Sequence, residues 1–164
     1  SCRLTPLVWQ WVRSIDDLGF FGSNSDMMRL QTYIASKSSG YAWNPPMEHP
    51  LEIAMRDAGK VMFYRRAGIM DFSCSTCHAE SGKRIRASVL PNINVPEEWT
   101  KAISWPAYRV GHQNVRSSQH RVRGCYWQMR QGLSAAGSDA SIAMLSFWTD
   151  AARGQPAILP DMKR

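Results

Sequence analysis

Apolar positions along this chain recur with a period near 3.6, and no alternating run long enough for a strand competes with them. Leu4, Leu7, Val8, Trp9, Trp11 and Val12 fall close to helical spacing within residues 4–18, with Pro6 tolerable in a first turn. Gly19 to Asp26 reads as a turn, where Ser25 or Asp26 can cap a second helix over Met27 to Ala35. Residues 36–50 contain Ser38-Ser39-Gly40 and Asn44-Pro45-Pro46 and predict an extended connection. Leu51 to Arg66 then predicts a long amphipathic helix ending near Gly68, with Ile53, Ala54, Ala58, Val61 and Met62 on its buried stripe. Pro91 and Pro96 mark residues 86–96 as poor in helix signals. Glu97 to Ile103 and Gly124 to Gly132 are shorter helix candidates, and Ser138-Asp139 starts a final helix through Trp148 that stops near Gly154. The pattern predicts an all-α fold, with a helical N-terminal extension over residues 1–45 and the main unit over residues 46–164.

Composition narrows the class of partner. A hydrophobic share of 44% is ample for a core, and 20 Lys and Arg against 13 Asp and Glu give a net charge of +7. That balance invites an anion: a nucleic acid, an acidic protein or a small ion. No run of five basic residues, RNP sequence or zinc finger is present, so a nucleic acid is not expected. Arg109, Arg116, Arg121, Arg123 and Arg130 crowd into 22 residues. A solvated face is the ordinary meaning of such a set, and a small-anion site is the other. No stretch approaches 20 apolar residues, so no membrane span is expected.

The chemistry concentrates in Cys74-Ser75-Thr76-Cys77-His78. Two thiols three apart can add across the two vinyl groups of one haem, and the next residue offers an imidazole to its iron. A redox dithiol would want a strand-turn-helix setting, and a zinc site a second Cys/His pair; neither context is visible. The layout, with a helix before the motif, a loop-rich middle and a C-terminal helix, resembles a small c-type cytochrome over residues 48–156. One covalent haem c is expected, with Cys74 and Cys77 as thioether anchors and His78 as the proximal ligand. Covalent haem is attached outside the bacterial cytoplasm, so a periplasmic location is expected. Ser1-Cys2-Arg3 opens without a visible signal peptide, which suggests a trimmed chain whose leader precedes it.

The other side of the iron decides the function. His112, His120, Cys125, Met129 and Met144 are the candidates by distance along the chain. Cys125 sits in Arg121-Val122-Arg123-Gly124-Cys125-Tyr126, where two guanidinium groups within four residues would favour its thiolate. Gly124 beside it would let a bulky partner approach. A Cys2–Cys125 disulfide and a buried inert thiol are the alternatives. Arg109, His112, Arg116 and His120 read mostly as surface.

The run Arg121-Val122-Arg123-Gly124-Cys125-Tyr126-Trp127-Gln128-Met129-Arg130 resembles the signature of the A subunit of SoxAX cytochromes. Phe63-Tyr64-Arg65-Arg66, followed by Phe72-Ser73-Cys74-Ser75-Thr76-Cys77-His78, is similar to the same family's approach to its active-site haem. An Arg four residues ahead of a Cys is unusual in electron-carrier cytochromes, which makes the resemblance specific over residues 50–155. The resemblance implies that Cys125 is the distal iron ligand and catalytic sulfur, found in this family as a persulfide, and that Arg121 handles the substrate anion. It implies L-cysteine S-thiosulfotransferase activity: thiosulfate is joined oxidatively to a cysteine of the carrier SoxYZ, and electrons leave to a small cytochrome, SoxX. A plain electron-transfer cytochrome and a thiosulfate dehydrogenase forming tetrathionate are the alternatives. Many family members carry two haems on this subunit, whereas one Cys-x-x-Cys-His occurs here. Cys2 falls where a second haem's distal Cys would lie, or where single-haem members form a disulfide, so a second haem is expected only if an N-terminal region is missing.

Overall fold

The computed structural model describes residues 25–85 and 87–164. The predicted helix over residues 4–18 and Cys2 lie outside the described residues. Helix α1 (Ser25–Lys37) forms where expected. A connection then leads to α2 (Pro50–Tyr64), whose start is a capping box. The His49 imidazole accepts the Leu51 amide at 3.1 Å, the Glu52 carboxylate accepts the His49 amide at 3.1 Å, and Pro50 fills a position that needs no donor.

Helix α2 does not bury the expected stripe. Gly59 and Phe63 face inward with half-buried Met55, Arg56 and Met62, while Ile53, Ala54, Ala58 and Val61 are exposed. The reason lies in its partner, α6 (Asp139–Ala151), which starts at the expected cap, Ser138. A Cβ at Gly59 would sit 1.9 Å from the Ala143 carbonyl oxygen, so only glycine lets the two backbones come this close. The missing side chain at 59 and the ring of Phe63 choose the face, rather than the number of aliphatic residues. Arg56 closes the contact with a 3.2 Å ion pair to Asp150.

A five-residue helix, α3 (Cys74–His78), follows, then α4 (Pro96–Ile103), matching the short helix expected there. Phe63, Trp99 and Met144 are fully buried and form the centre of the core. Phe63 and Trp148 both meet Trp99 edge to face, at 5.9 and 5.4 Å between ring centroids. The indole N–H of Trp99 donates to the Trp148 carbonyl at 3.0 Å, so this fully buried side chain leaves no unmet donor of its own.

Helices dominate, but the fold is not purely α. Strand β1 (Arg84–Ile85) pairs antiparallel with β2 (Ser88–Val89). A second sheet places β3 (Ala107–Arg109) between antiparallel β4 (Asn114–Arg116) and parallel β5 (Asp161–Lys163). Strands of two or three residues are too short for an alternating pattern to register, which is why the sequence does not display them. Helix α5 spans Ser118–Gln128, starting six residues before the predicted Gly124. Ser117 caps it by accepting the His120 amide at 3.3 Å, and Gly124 lies in its interior. Arg130 ends it in a left-handed conformation, φ 55°.

Two cross-links position the functional elements. Gly40 and Trp43 donate to the carbonyls of Ala157 and Gln155, both at 2.8 Å, tying the 36–50 connection to the stretch after α6. The Gln131 side-chain amide donates to the carbonyls of Ala67 (3.3 Å) and Phe72, clasping the loop before Cys74 to the end of α5.

Candidate functional site

Helix α3 exists because both of its first-turn needs are met locally. Ser73 Oγ accepts the Thr76 amide at 3.2 Å, and Thr76 Oγ1 accepts the Ser73 amide at 3.0 Å. Positions three and four apart share a helix face, so Cys74, Cys77 and His78 are presented together. His78 Nδ1 donates to the Pro91 carbonyl at 2.9 Å. A carbonyl can only accept, so the proton is on Nδ1 and Nε2 keeps a lone pair for a metal. The Trp99 ring meets the imidazole edge-on at 5.4 Å. Burial lowers the His78 pKa, the bond to Pro91 works against this, and the Arg121 charge lowers it further.

The loop that supplies Pro91 is itself fixed. Glu98 accepts the Asn92 amide at 3.0 Å and the Ser81 hydroxyl at 2.8 Å, which holds its carboxyl below the usual range. Ile93 donates back to the His78 carbonyl at 2.8 Å. In the sequence this stretch shows only as poor in helix signals, and the partner of His78 lies thirteen residues further on.

On the opposing element, Arg121 and Cys125 lie four residues apart in α5, one turn above the other. The Cys125 thiol is pushed up by burial, drawn down by Arg121, raised by Cys77 and drawn down by Arg109. Cys74 is pushed up to about 12, first by burial and then by Cys125. Tyr126 is also pushed up to about 12, by burial and then by Cys74 and Cys125. Through these mutual fields Cys74, Cys77, His78, Arg121 and Cys125 form one electrostatic neighbourhood.

Two expectations change. Burial outweighs the guanidinium groups, so the thiol rather than the thiolate is favoured at Cys125 in the chain itself. The second guanidinium acting on the sulfur is Arg109 from β3, while Arg123 acts on His120 instead. Nothing in the local sequence announces Arg109; hairpin geometry delivers it. Cys74, Cys77 and Cys125 are free thiols, while the alternative of a Cys2–Cys125 bridge involves Cys2, which lies outside the described residues. Met129 and Met144 pack in the hydrophobic core, and His112 and His120 stack against each other at 5.5 Å. A Cβ at Gly124 would meet nothing within 4 Å, leaving room beside the sulfur.

The donor set fits a haem better than a bare ion. It offers two adjacent protonatable thiols, one neutral imidazole nitrogen and a third sulfur on a separate element. Among the described residues, no group of three or more His, Cys, Asp or Glu side chains gathers to hold a metal ion, as the zinc reading requires. Such donors on this helical frame define a cytochrome c-like domain for a c-type haem.

The comparisons narrow that class. No protein-family model matches the chain. It is 37% identical over 144 residues to the L-cysteine S-thiosulfotransferase subunit SoxA of Hydrogenophilus thermoluteolus, covering 87% of this chain and 53% of that one. A SoxA subunit of Hydrogenobacter thermophilus is 38% identical over 102 residues, covering 62% and 38%. The crystal structure of SoxXA from P. pantotrophus superimposes with a TM-score of 0.72 at 26% identity, over 88% of this chain and 52% of that one. Over most of its length the chain is similar to SoxA subunits. It spans about half the length of the first of these relatives, and less of the second.

Proposed function

We propose that this chain is the catalytic portion of an L-cysteine S-thiosulfotransferase of the SoxAX type, working in the periplasm. One observation carries the reading: Cys125 and Arg121 lie one turn apart on α5, and both act on the Cys74–His78 turn, Cys125 on Cys74 and Arg121 on His78. No described helix is long and apolar enough to cross a membrane, which fits a chain of this kind.

In this reading Cys74 and Cys77 would hold one haem c covalently, and His78 Nε2 and Cys125 would be the donors available to its iron. When bound, the haem supplies an iron that exchanges single electrons and favours sulfur. The chain's own side chains do the rest. Pro91 keeps the His78 proton on Nδ1, and the core around Trp99 holds the ring in place. Arg121 and Arg109 place positive charge at the Cys125 sulfur, where a thiosulfate dianion must arrive. Cys125, as a persulfide, is the sulfur at which transfer is organised.

Joining thiosulfate to a carrier thiol forms one sulfur–sulfur bond and releases one proton and two electrons. One iron takes one electron, so a second redox centre is needed; a SoxX-like cytochrome partner supplies it. The acceptor thiol belongs to a carrier of the SoxYZ type. In the assembled complex, Cys125→Ser is expected to retain haem through Cys74 and Cys77 yet lose at least about a thousandfold in coupling of thiosulfate to the carrier. A variant that still couples at the wild-type rate sinks the reading. Tetrathionate accumulating from thiosulfate alone, without carrier, would point to a dehydrogenase instead.

A further inference from the structure

Between Glu98 and Asp139 no acidic residue occurs, while Lys101, Arg109, Arg116, Arg121, Arg123 and Arg130 all do, together with His112 and His120. The fold gathers part of this stretch into a small volume. Arg109 faces Asn114 across the β3–β4 hairpin, His112 closes a 3₁₀ turn (Val110–His112) at its tip, and Arg116 ends β4. Ser117 then caps α5, and His120 lies in its first turn, at the positive end of the helix dipole.

The His112 and His120 rings meet edge to face, 5.5 Å apart and at 87°. Every charge that shifts either ring is another cation. Arg109 and Arg116 act on His112; Arg116, His112, Arg123 and Arg109 act on His120. Burial leads in both cases, and both pKa values are lowered. The buried Arg116 Nε has no hydrogen-bond partner. Arg109 and Arg123 have further interactions of their own, so the case stands on His112, Arg116 and His120. Arg109 also acts on Cys125, so the positive field of this hairpin reaches the sulfur.

Such a packing of cations opposes folding unless something negative shares it. We propose that His112, Arg116 and His120 form a docking site for a small divalent oxyanion of the sulfate and thiosulfate class, adjacent to Cys125 and separate from Arg121. The proposal rests on the reading of thiosulfate as substrate, and it adds a second place where that anion is held. A bound dianion offsets the repulsion from the arginines and draws protons onto the two imidazoles. By linkage, the anion then binds more tightly as pH falls, with the change centred below the ordinary histidine value. The site would collect substrate in acid conditions and pass it across Arg109 to the sulfur.

Sulfate titration by calorimetry tests this on the haem-loaded complex, at constant ionic strength, because sulfate has no sulfane sulfur to transfer. The dissociation constant at pH 6 is expected to be about tenfold lower than at pH 8. Arg116→Gln is expected to weaken sulfate at least about fivefold. His112→Gln/His120→Gln, which keeps polar side chains at these outer positions, is expected to abolish the pH dependence. Thiosulfate titrated into the Cys125→Ser complex should follow the same pattern. Binding that is flat with pH, unmoved by Arg116→Gln, or lost only in Arg121→Ala overturns the proposal and leaves a solvated basic face. Sulfate binding and carrier coupling are read separately, so a Cys125 that proves dispensable would refute the proposed activity without touching this result, and the reverse also holds.

Discussion

The two sides of the site are held by different forces. On the His78 side, position comes from packing and directed hydrogen bonds: a capped turn, a carbonyl at 2.9 Å, and a fully buried indole against the ring. On the Cys125 side, the sulfur is placed by one helix and conditioned by charges from two elements, Arg121 in α5 and Arg109 in β3. Packing is indifferent to pH and salt, whereas fields at a partly exposed surface respond to both. The contrast suits the proposed function, in which His78 would stay fixed while Cys125 would meet an anion and give up sulfur.

Substitutions can break this contrast, or sharpen it. Trp99→Ala should have the largest effect, removing the indole against His78 and costing about 4 kcal/mol in denaturant unfolding of the haem-loaded protein. If stability barely changes, packing does not hold the proximal side. Gly59→Ala is expected to cost about 3 kcal/mol, because its Cβ would overlap the Ala143 carbonyl. A smaller loss would mean that α2 and α6 can slide apart, and that the platform under both sides is soft. Arg121→Ala should reverse the profile: an unfolding midpoint close to that of the parent, and about a hundredfold less coupling activity, roughly 2.7 kcal/mol. The smallest effect is expected from pH. His112 and His120 have lowered values in the fold, so the unfolded chain binds protons more readily. Stability is therefore fully present above the unfolded value near 6.5 and declines as pH falls through it towards the folded values. A thermal midpoint series from pH 8 to pH 5, with and without sulfate, reads that decline, and sulfate should offset it.

Some of this was plain in the sequence. The Cys74 to His78 motif, the Ser138 cap and the Arg121 and Cys125 pairing are local features, written within a turn or two of the chain. The buried face of α2 was not, because Gly59 looks dispensable until Ala143 is seen against it. The start of α5 was missed because Gly124 reads as a breaker, while the operative signal was Ser117, seven residues earlier. Arg109 at the sulfur and Pro91 at the imidazole depend on hairpin and loop return paths that no local pattern encodes. The short strands failed to register for a related reason: their pairing is decided by partners, Ala107 with both Arg116 and Asp161, rather than by alternation.

Gln131 has a consequence for how the site is calibrated. Its amide grips both ends of the 67–72 loop, and Gly68 at φ 75° lets the Arg130 carbonyl come within 2.7 Å of where a Cβ would stand. The strand of chain entering Cys74 and the helix carrying Cys125 are thereby set to a common gauge by protein alone. A group arriving between them meets jaws already spaced, like a workpiece in a locked vice. The register between the chain entering Cys74 and the end of α5 is therefore a property of the protein itself, held by one amide and one glycine.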